Sequence, residues 1–225
     1  MTGTLYIVAT PIGNLDDLTL RALKILETVA VIACEDTRHS RKLFNKYKLR
    51  NKLISYYQPK EKQKAKQIIN LLKEGADVAL ISNAGTPCIS DPGFPLVRTA
   101  INENIKIVPI PGASAVITAL CAAGLPTHKF LFLGFPPVKK QATKKLLQSL
   151  SSIDATLVFY LPPRKIISFL DTIQDTFSDR QIVIAREMTK IFEEFIRGSA
   201  EELLHKIKSK TIKGEVTVLI QGSSR

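Results

Sequence analysis

Short apolar runs alternate along this chain with segments whose apolar residues recur every three or four positions. Residues 5–9 and 29–33 read as buried strands. Between them Leu15, Leu18, Ala22, Ile25 and Leu26 fall at helical spacing, with Asn14 or Asp16 available as N-cap. Ala65, Ile68, Ile69 and Leu72 mark a second helix, closed by Gly75 and feeding a strand at Val78–Ile81. Leu96, Val97, Ala100 and Ile101 mark a third, which ends near Asn104 and leads into a strand over residues 105–110. Strand, helix and strand in succession need crossover connections, so this half predicts a mainly parallel sheet with helices on its faces.

The second half has a different texture. Pro111-Gly112-Ala113-Ser114-Ala115 opens a helix over residues 116–123 that is apolar on every side, which predicts burial between two layers or domains. Gly124-Leu125-Pro126 stops it. Strands follow at residues 130–135, 156–160, 182–185 and 216–220, with looser helical alternation and several set to pair antiparallel. The boundary falls near residues 115–126, giving an N-terminal domain over 1–115 and a C-terminal domain over 116–225. The class is α/β in both, with a mainly parallel first sheet and a mixed second one.

Composition narrows the setting. The 225 residues are 45% apolar, enough for real cores, yet no apolar run approaches the 18 or so residues of a membrane span. The N-terminus enters a strand at once, without the basic and apolar regions of a signal peptide. Cys34, Cys88 and Cys121 are odd in number, widely spaced and set beside apolar residues, as expected of reduced core thiols in a cytoplasmic protein. The net charge of +12 is clustered. Residues 37–60 hold Arg38, Arg41, Lys42, Lys46, Lys48, Arg50, Lys52 and Lys60 and no acid. Lys139, Lys140, Lys144 and Lys145 form a second group, and Lys206, Lys208, Lys210 and Lys213 a third. Such clusters suit a polyanion, nucleic acid before an acidic membrane surface, against the plainer reading of a soluble basic exterior.

Candidate chemistry lies where strands end. Residues 82–93 carry two glycines and two prolines among small polar residues, and run from a strand to a helix that Asp91 could cap, with Pro92 in its first turn. The segment is longer than an ordinary βα connection and is placed where open α/β sheets bind ligands. Thr10-Pro11-Ile12-Gly13-Asn14 closes the first strand, but neither a dinucleotide-binding glycine pattern nor a phosphate loop is present. Cys34-Glu35-Asp36-Thr37-Arg38 ends the second strand. Its acids could hold a ligand hydroxyl or position a nucleophile, or Asp36 or Thr37 could cap a helix beside a surface ion pair. Arg186-Glu187-Met188-Thr189-Lys190 ends a later strand, and Lys213-Gly214-Glu215 precedes the last. His39, His128 and His205 stand apart from each other and from the cysteines, so neither a zinc site nor a Ser-His-Asp triad is expected.

In order, these segments resemble the tetrapyrrole methylase superfamily, the class III S-adenosylmethionine methyltransferases. Within it they are most similar to the branch that methylates ribose 2′-hydroxyls of small-subunit rRNA. Residues 10–15, 35–38, 83–93 and 111–115 carry the likeness, which residues 124–127, 130–135, 186–190 and 213–215 extend over nearly the whole chain. The resemblance implies two α/β domains, S-adenosylmethionine in a cleft between them, a homodimer, no metal, and 16S rRNA within the small ribosomal subunit as partner. By motif position the donor would be lined by Pro11, Asn83, Gly85, Thr86, Ile89, Ser114 and Ala115, and by Phe135, Leu161, Met188 and Gly214. Asp36 or Glu35 would orient or deprotonate the 2′-hydroxyl of a cytidine, Arg38 and Lys190 would hold flanking phosphates, and Asn14 would position the ribose. A class III methylase of small tetrapyrroles and a non-catalytic RNA-binding relative are the alternatives.

The chain departs from that branch in three places. Asn83 stands where the pattern has Asp. Residues 55–61 and 159–165 have each lost histidines and acids found in the pattern, Glu61 being retained. The C-terminal extension that many relatives carry does not follow the last strand.

Overall fold

The computed structural model describes residues 2–58, 61–177, 179–208 and 212–223. Pro59, Lys60 and Lys210, which fall in segments singled out above, lie outside them. The chain divides into two compact units, Met1–Ser114 and Ala115–Arg225.

The first unit is built on five parallel strands, β1 (Leu5–Val8), β2 (Val31–Cys34), β3 (Lys52–Ser55), β4 (Val78–Ile81) and β5 (Ile107–Ile110), in the order β3-β2-β4-β1-β5. Helices α1 (Leu20–Thr28) and α2 (Thr37–Tyr47) cover one face, where Leu26, Leu43 and Phe44 pack with Ile32 and Ile81. Helices α3 (Glu61–Lys73) and α4 (Phe94–Asn102) cover the other, where Ile68, Leu72 and Leu96 pack with Leu5 and Leu80. The chain therefore leaves the neighbouring strands β1 and β4 towards opposite faces. A crevice opens at such a switch point, beyond the carboxyl ends of the strands.

Local chemistry shifts several boundaries from those expected. The expected helix after β1 is two pieces. Asn14 caps a 3₁₀ turn at Leu15–Asp17, accepting from the Asp16 N–H at 3.1 Å, and Thr19 caps α1 through the Ala22 N–H. Asp91 does not cap α4 and Pro92 is not in its first turn. Gly93, at φ 149°, is the N-cap, and Pro95 takes the early helical position. Strands β1 and β5 are shorter than their apolar runs, and β2 begins two residues later than its run.

The second unit is a mixed sheet, β6 (Phe130–Phe132), β7 (Thr156–Leu161), β8 (Ile182–Arg186), β9 (Glu194–Gly198) and β10 (Val216–Ile220), in the order β6-β7-β10-β8-β9. β6 and β7 are parallel, whereas β10 runs antiparallel to both its neighbours and β9 to β8. Four α-helices among the described residues complete it: α5 (Ala115–Ala123), α6 (Lys140–Ser149), α7 (Ile166–Gln174) and α8 (Ala200–Ile207). Leu147, Phe159, Phe169, Ile184 and Leu203 are central to its core.

Helix α5 is not buried all round. Val116, Ala119, Leu120 and Ala123 face inward at helical spacing, while Ile117, Cys121 and Ala122 are exposed. Small residues cost little at a surface, so uniform apolarity overstates the burial. The expectation of three core thiols fails with it. Cys34 is buried, Cys88 half-buried and Cys121 exposed, all three free. Among the described residues no helix is long and apolar enough to cross a membrane.

Candidate active site

In the first unit four strand-end loops are tied into one edge. The Thr10 N–H donates to the Gly85 carbonyl and the Gly85 N–H to the Thr10 carbonyl, both at 2.9 Å, joining the β1 and β4 loops. The Thr86 hydroxyl donates to the Ala113 carbonyl at 3.2 Å and brings in the β5 loop. The Asn83 side-chain amide donates to Glu35 Oε2 at 2.9 Å and brings in the β2 loop. Pro11, Asn83, Gly85, Thr86 and Ser114 thus belong to one hydrogen-bonded cluster of loops, with Ile89 exposed further along the β4 loop.

That β4 loop is strained. Gly85, Cys88, Ser90 and Gly93 all have positive φ, at 77°, 71°, 62° and 149°. Positive φ at Cys88 and Ser90 costs energy that surrounding contacts must offset, and such strain gathers at ligand sites. One contact is Glu61, whose Oε1 accepts from the Gly93 N–H at 2.6 Å and from the buried Tyr56 hydroxyl at 3.1 Å. Glu61 lies in the segment that departs from the family pattern, and no local signal marks its role, since its partners are 5 and 32 residues away.

The edge is rich in acceptors. Asn83 Oδ1 is buried without a hydrogen-bond partner among the described residues. Asp91 is half-buried, and its carboxyl is pushed up to about 6, by burial first and by the nearby Glu35 second, with Ser82 opposing the shift. Burial, then Glu61 and Asp91, push the Cys88 thiol up to about 11, so it stays a neutral thiol at physiological pH. Two carboxylates and an unpaired amide oxygen, in a protein of net charge +12, suit a cationic ligand. Asn83 in place of a carboxylate gives Glu35 a donor rather than a third like charge.

The predicted catalytic residues are placed more variously. Asp36 is the N-cap of α2, its Oδ1 accepting from the Arg38 N–H at 2.8 Å. Capping is one of the two roles left open by the sequence, and Asp36 remains accessible while doing it. Glu35 is half-buried beside Asn83, and the Arg38 side chain lies on the first turn of α2. Asn14 is exposed at its cap.

In the second unit the register brings the carboxyl ends of β7 and β8 level with the start of β10, since Val216 pairs with both Leu161 and Arg186. Leu161, Met188 and Gly214 lie at this edge with Phe135, which follows β6. Lys190 is held by two acids, donating to Glu187 Oε1 at 2.8 Å and to Glu215 Oε2 at 2.9 Å. Burial works to lower its pKa, but those bonds together outweigh it and leave the ammonium pKa raised. Glu187 also accepts from the Glu215 N–H, and the Lys190 hydrogen bond is the main cause of its lowered pKa. Gly214, at φ 88°, makes the approach possible, because a Cβ there would lie 2.3 Å from Glu187 Cδ. The sequence marks this segment by its mixed charge but not by the Glu187–Lys190–Glu215 network.

The model of the tetrapyrrole (corrin/porphyrin) methylases matches residues 4–204. This chain belongs to that family. Among its relatives, ribosomal RNA small subunit methyltransferase I of Halalkalibacterium halodurans is 46% identical over 221 residues, covering 98% of this chain and 76% of that protein. The protein of the same name from Thermotoga maritima is 44% identical, covering 98% of this chain and 99% of its own. Cobalt precorrin-4 methyltransferase superposes with a TM-score of 0.71 at 19% identity, covering 97% of this chain and 94% of its own. Diphthine synthase does so at 0.72 and 15%, covering 97% and 90%. At those identities the likeness is one of fold, and the two α/β units with a parallel and a mixed sheet are the fold expected from the tetrapyrrole methylase family.

Proposed function

We propose that this chain is an S-adenosylmethionine-dependent methyltransferase that modifies the ribose 2′-hydroxyl of a cytidine in 16S rRNA, acting in the cytoplasm as a homodimer. The observation that carries the reading is the acceptor-rich edge of the first unit, where Glu35, Asp91 and the unpaired Asn83 Oδ1 suit a ligand bearing sulfonium and ammonium charges. The names of the 46% and 44% identical relatives support rRNA of the small subunit as acceptor.

When bound, the donor supplies a methyl group on a positively charged sulfur, ready for in-line displacement without metal. The chain's own residues do the rest. Pro11, Asn83, Gly85, Thr86, Ile89 and Ser114 of the first unit would hold the donor, with Ala115, Phe135, Leu161, Met188 and Gly214 of the second. Asp36 or Glu35 would accept the hydroxyl proton as the new O–C bond forms. Asp36 has one oxygen engaged by the Arg38 N–H and Glu35 has one engaged by Asn83, so each keeps a second oxygen for that bond. Arg38 would hold a phosphate flanking the acceptor, and Asn14 would position the ribose. Lys190 is proposed for a phosphate as well, with Glu187 and Glu215 fixing its ammonium in place.

The test is methyl transfer from labelled S-adenosylmethionine to small subunits lacking the modification, followed by alkaline hydrolysis of the rRNA. A 2′-O-methyl removes the hydroxyl that attacks the phosphodiester, so label recovered in an alkali-resistant dinucleotide is the expected result. Label in mononucleotides would place the methyl on a base and overturn the ribose assignment. Label on a tetrapyrrole and none on rRNA would overturn the acceptor.

A further inference from the structure

The second unit has a cavity of about 320 Å³ that shares Phe135 and Leu161 with the proposed donor lining and whose other walls have no assigned occupant. Phe135, Pro136, Val138 and Leu161 give it an apolar lining, and Lys140, Arg164 and Lys165 stand around it. Among the described residues that line it none is acidic. We infer that this pocket takes one base of the single-stranded RNA acceptor, with Lys140, Arg164 and Lys165 on the adjoining phosphates. The inference rests on the proposal that RNA is the acceptor and names where one nucleotide of it docks.

Size and charge together select this occupant. The cavity lies at the small end of the range for ligand sites, about 300–1,000 Å³, with room for one heterocycle rather than an extended cofactor. Three cations without a carboxylate repel a sulfonium donor and attract a phosphodiester. The apolar part is left uncovered, with Phe135 59% and Val138 82% exposed. Phe135 is also braced, its ring meeting that of Tyr160 edge to face at 5.7 Å, which suits a stacking platform.

The walls are built in advance. The Thr143 hydroxyl donates to the Pro137 carbonyl at 2.9 Å, and Lys165 Nζ to the Val138 carbonyl at 3.3 Å, so the 136–138 segment is pinned to α6 and to the turn before α7. Lys140 opens α6, whose N-cap Lys139 makes no capping side-chain hydrogen bond. Arg164 and Lys165 lie in the 3₁₀ turn Pro163–Lys165, which leads directly into α7, and neither the turn nor α7 has a capping side chain. Cations at the positive ends of helices are unfavourably placed by the dipole, and neither helix has an acid in its first turn. A phosphate between them relieves both conditions. Phe135 and Leu161 belong also to the proposed donor lining, so a base seated here would bring its strand next to the methyl donor.

The experiment uses the full chain, a fluorescein-labelled single-stranded RNA decamer and an abasic decamer of equal charge, with binding followed by anisotropy over about 50–200 mM salt. The Lys140→Glu and Arg164→Glu variants are expected to bind the RNA about ten-fold more weakly at low salt. Their dependence of log K on log salt should be shallower by about 0.7–1. Wild type is expected to bind the abasic decamer about ten-fold more weakly than the RNA, and Val138→Asp to shrink that difference. An acid at the start of α6 would favour the helix dipole, so the melting temperature of Lys140→Glu should hold or rise, which separates lost contacts from lost folding. Wild-type RNA affinity in both charge variants, or equal binding of the two decamers, would overturn the inference. So would calorimetry in which Lys140→Glu loses affinity for S-adenosylmethionine but not for RNA, since the pocket would then serve the donor while the proposed activity stood. A wild-type protein that binds the donor but neither RNA nor subunits would instead defeat the proposed function.

Discussion

Asp91 offers a direct measure of the electrostatics at the proposed donor edge, through the substitution Asp91→Asn. Its carboxyl is displaced from 3.8 to about 6 because ionising it costs desolvation and repulsion from Glu35. A raised carboxyl pKa means that the folded state binds the proton more tightly than the unfolded chain. Stability linked to this group is therefore full below pH 3.8 and lost as pH rises through 6. A displacement of that size corresponds to about 3 kcal/mol, and since Asp91 is only half-buried, solvent screening reduces this to about 1–2 kcal/mol. Asparagine is isosteric, still accepts from Ser82 and carries no charge. Asp91→Asn should thus stabilise the first unit by about 1–2 kcal/mol at pH 8 and by only a fraction of that at pH 4. Urea denaturation followed by tyrosine fluorescence reads this unit preferentially, because Tyr6, Tyr47, Tyr56 and Tyr57 lie in it and Tyr160 alone lies in the other. An equal change at the two pH values, or destabilisation at pH 8, would refute the argument.

Three further positions probe the loops. Asp36→Ala removes the α2 cap and should cost about 1 kcal/mol in denaturation, whereas Asp36→Asn keeps a capping oxygen. Asp36→Asn should therefore fold normally yet methylate small subunits about 100-fold more slowly, and full activity would leave Glu35 as the base. Glu61→Ala strands the Tyr56 hydroxyl and the Gly93 N–H, so a loss of about 2–4 kcal/mol is expected, with weaker donor binding by calorimetry. Glu61→Gln, which keeps an acceptor, should recover part of both. Gly214→Ala combines left-handed strain with a Cβ against Glu187, and a loss of about 2–4 kcal/mol in second-unit stability is expected by hydrogen exchange at β8 and β10.

Burial decides which elements the sequence reveals. Strands β4 and β10 are legible to the residue because both are buried throughout, and a continuous apolar run then has only one place to go. Strands β3 and β9 escape the same reading for the opposite reason. They lie at sheet edges, and residues such as Lys52, Glu194 and Arg197 break the apolar signal. Helix α2 is hidden by its own charge. Ser40, Leu43 and Phe44 make its buried face, but the cations around them point toward a partner rather than an element.

The loops proposed to hold the donor are legible as places because strand ends and glycines mark them locally, as at the β1, β2, β4 and β5 loops. The forces within them are not, because they act between residues far apart in sequence. Asn83 reaches Glu35 across 48 residues, Glu61 reaches Gly93 across 32, and Glu215 reaches Lys190 across 25. The failed Asp91 cap shows the same limit at short range. The rule for helix starts assumes that the chain enters the helix directly, but Ser90 and Gly93, both at positive φ, delay entry until Phe94 and leave Asp91 in the loop. Freed from capping, its carboxyl stands near Glu35, where the site needs acceptors. What looks like a helix signal is thus a component of the edge proposed to hold the donor.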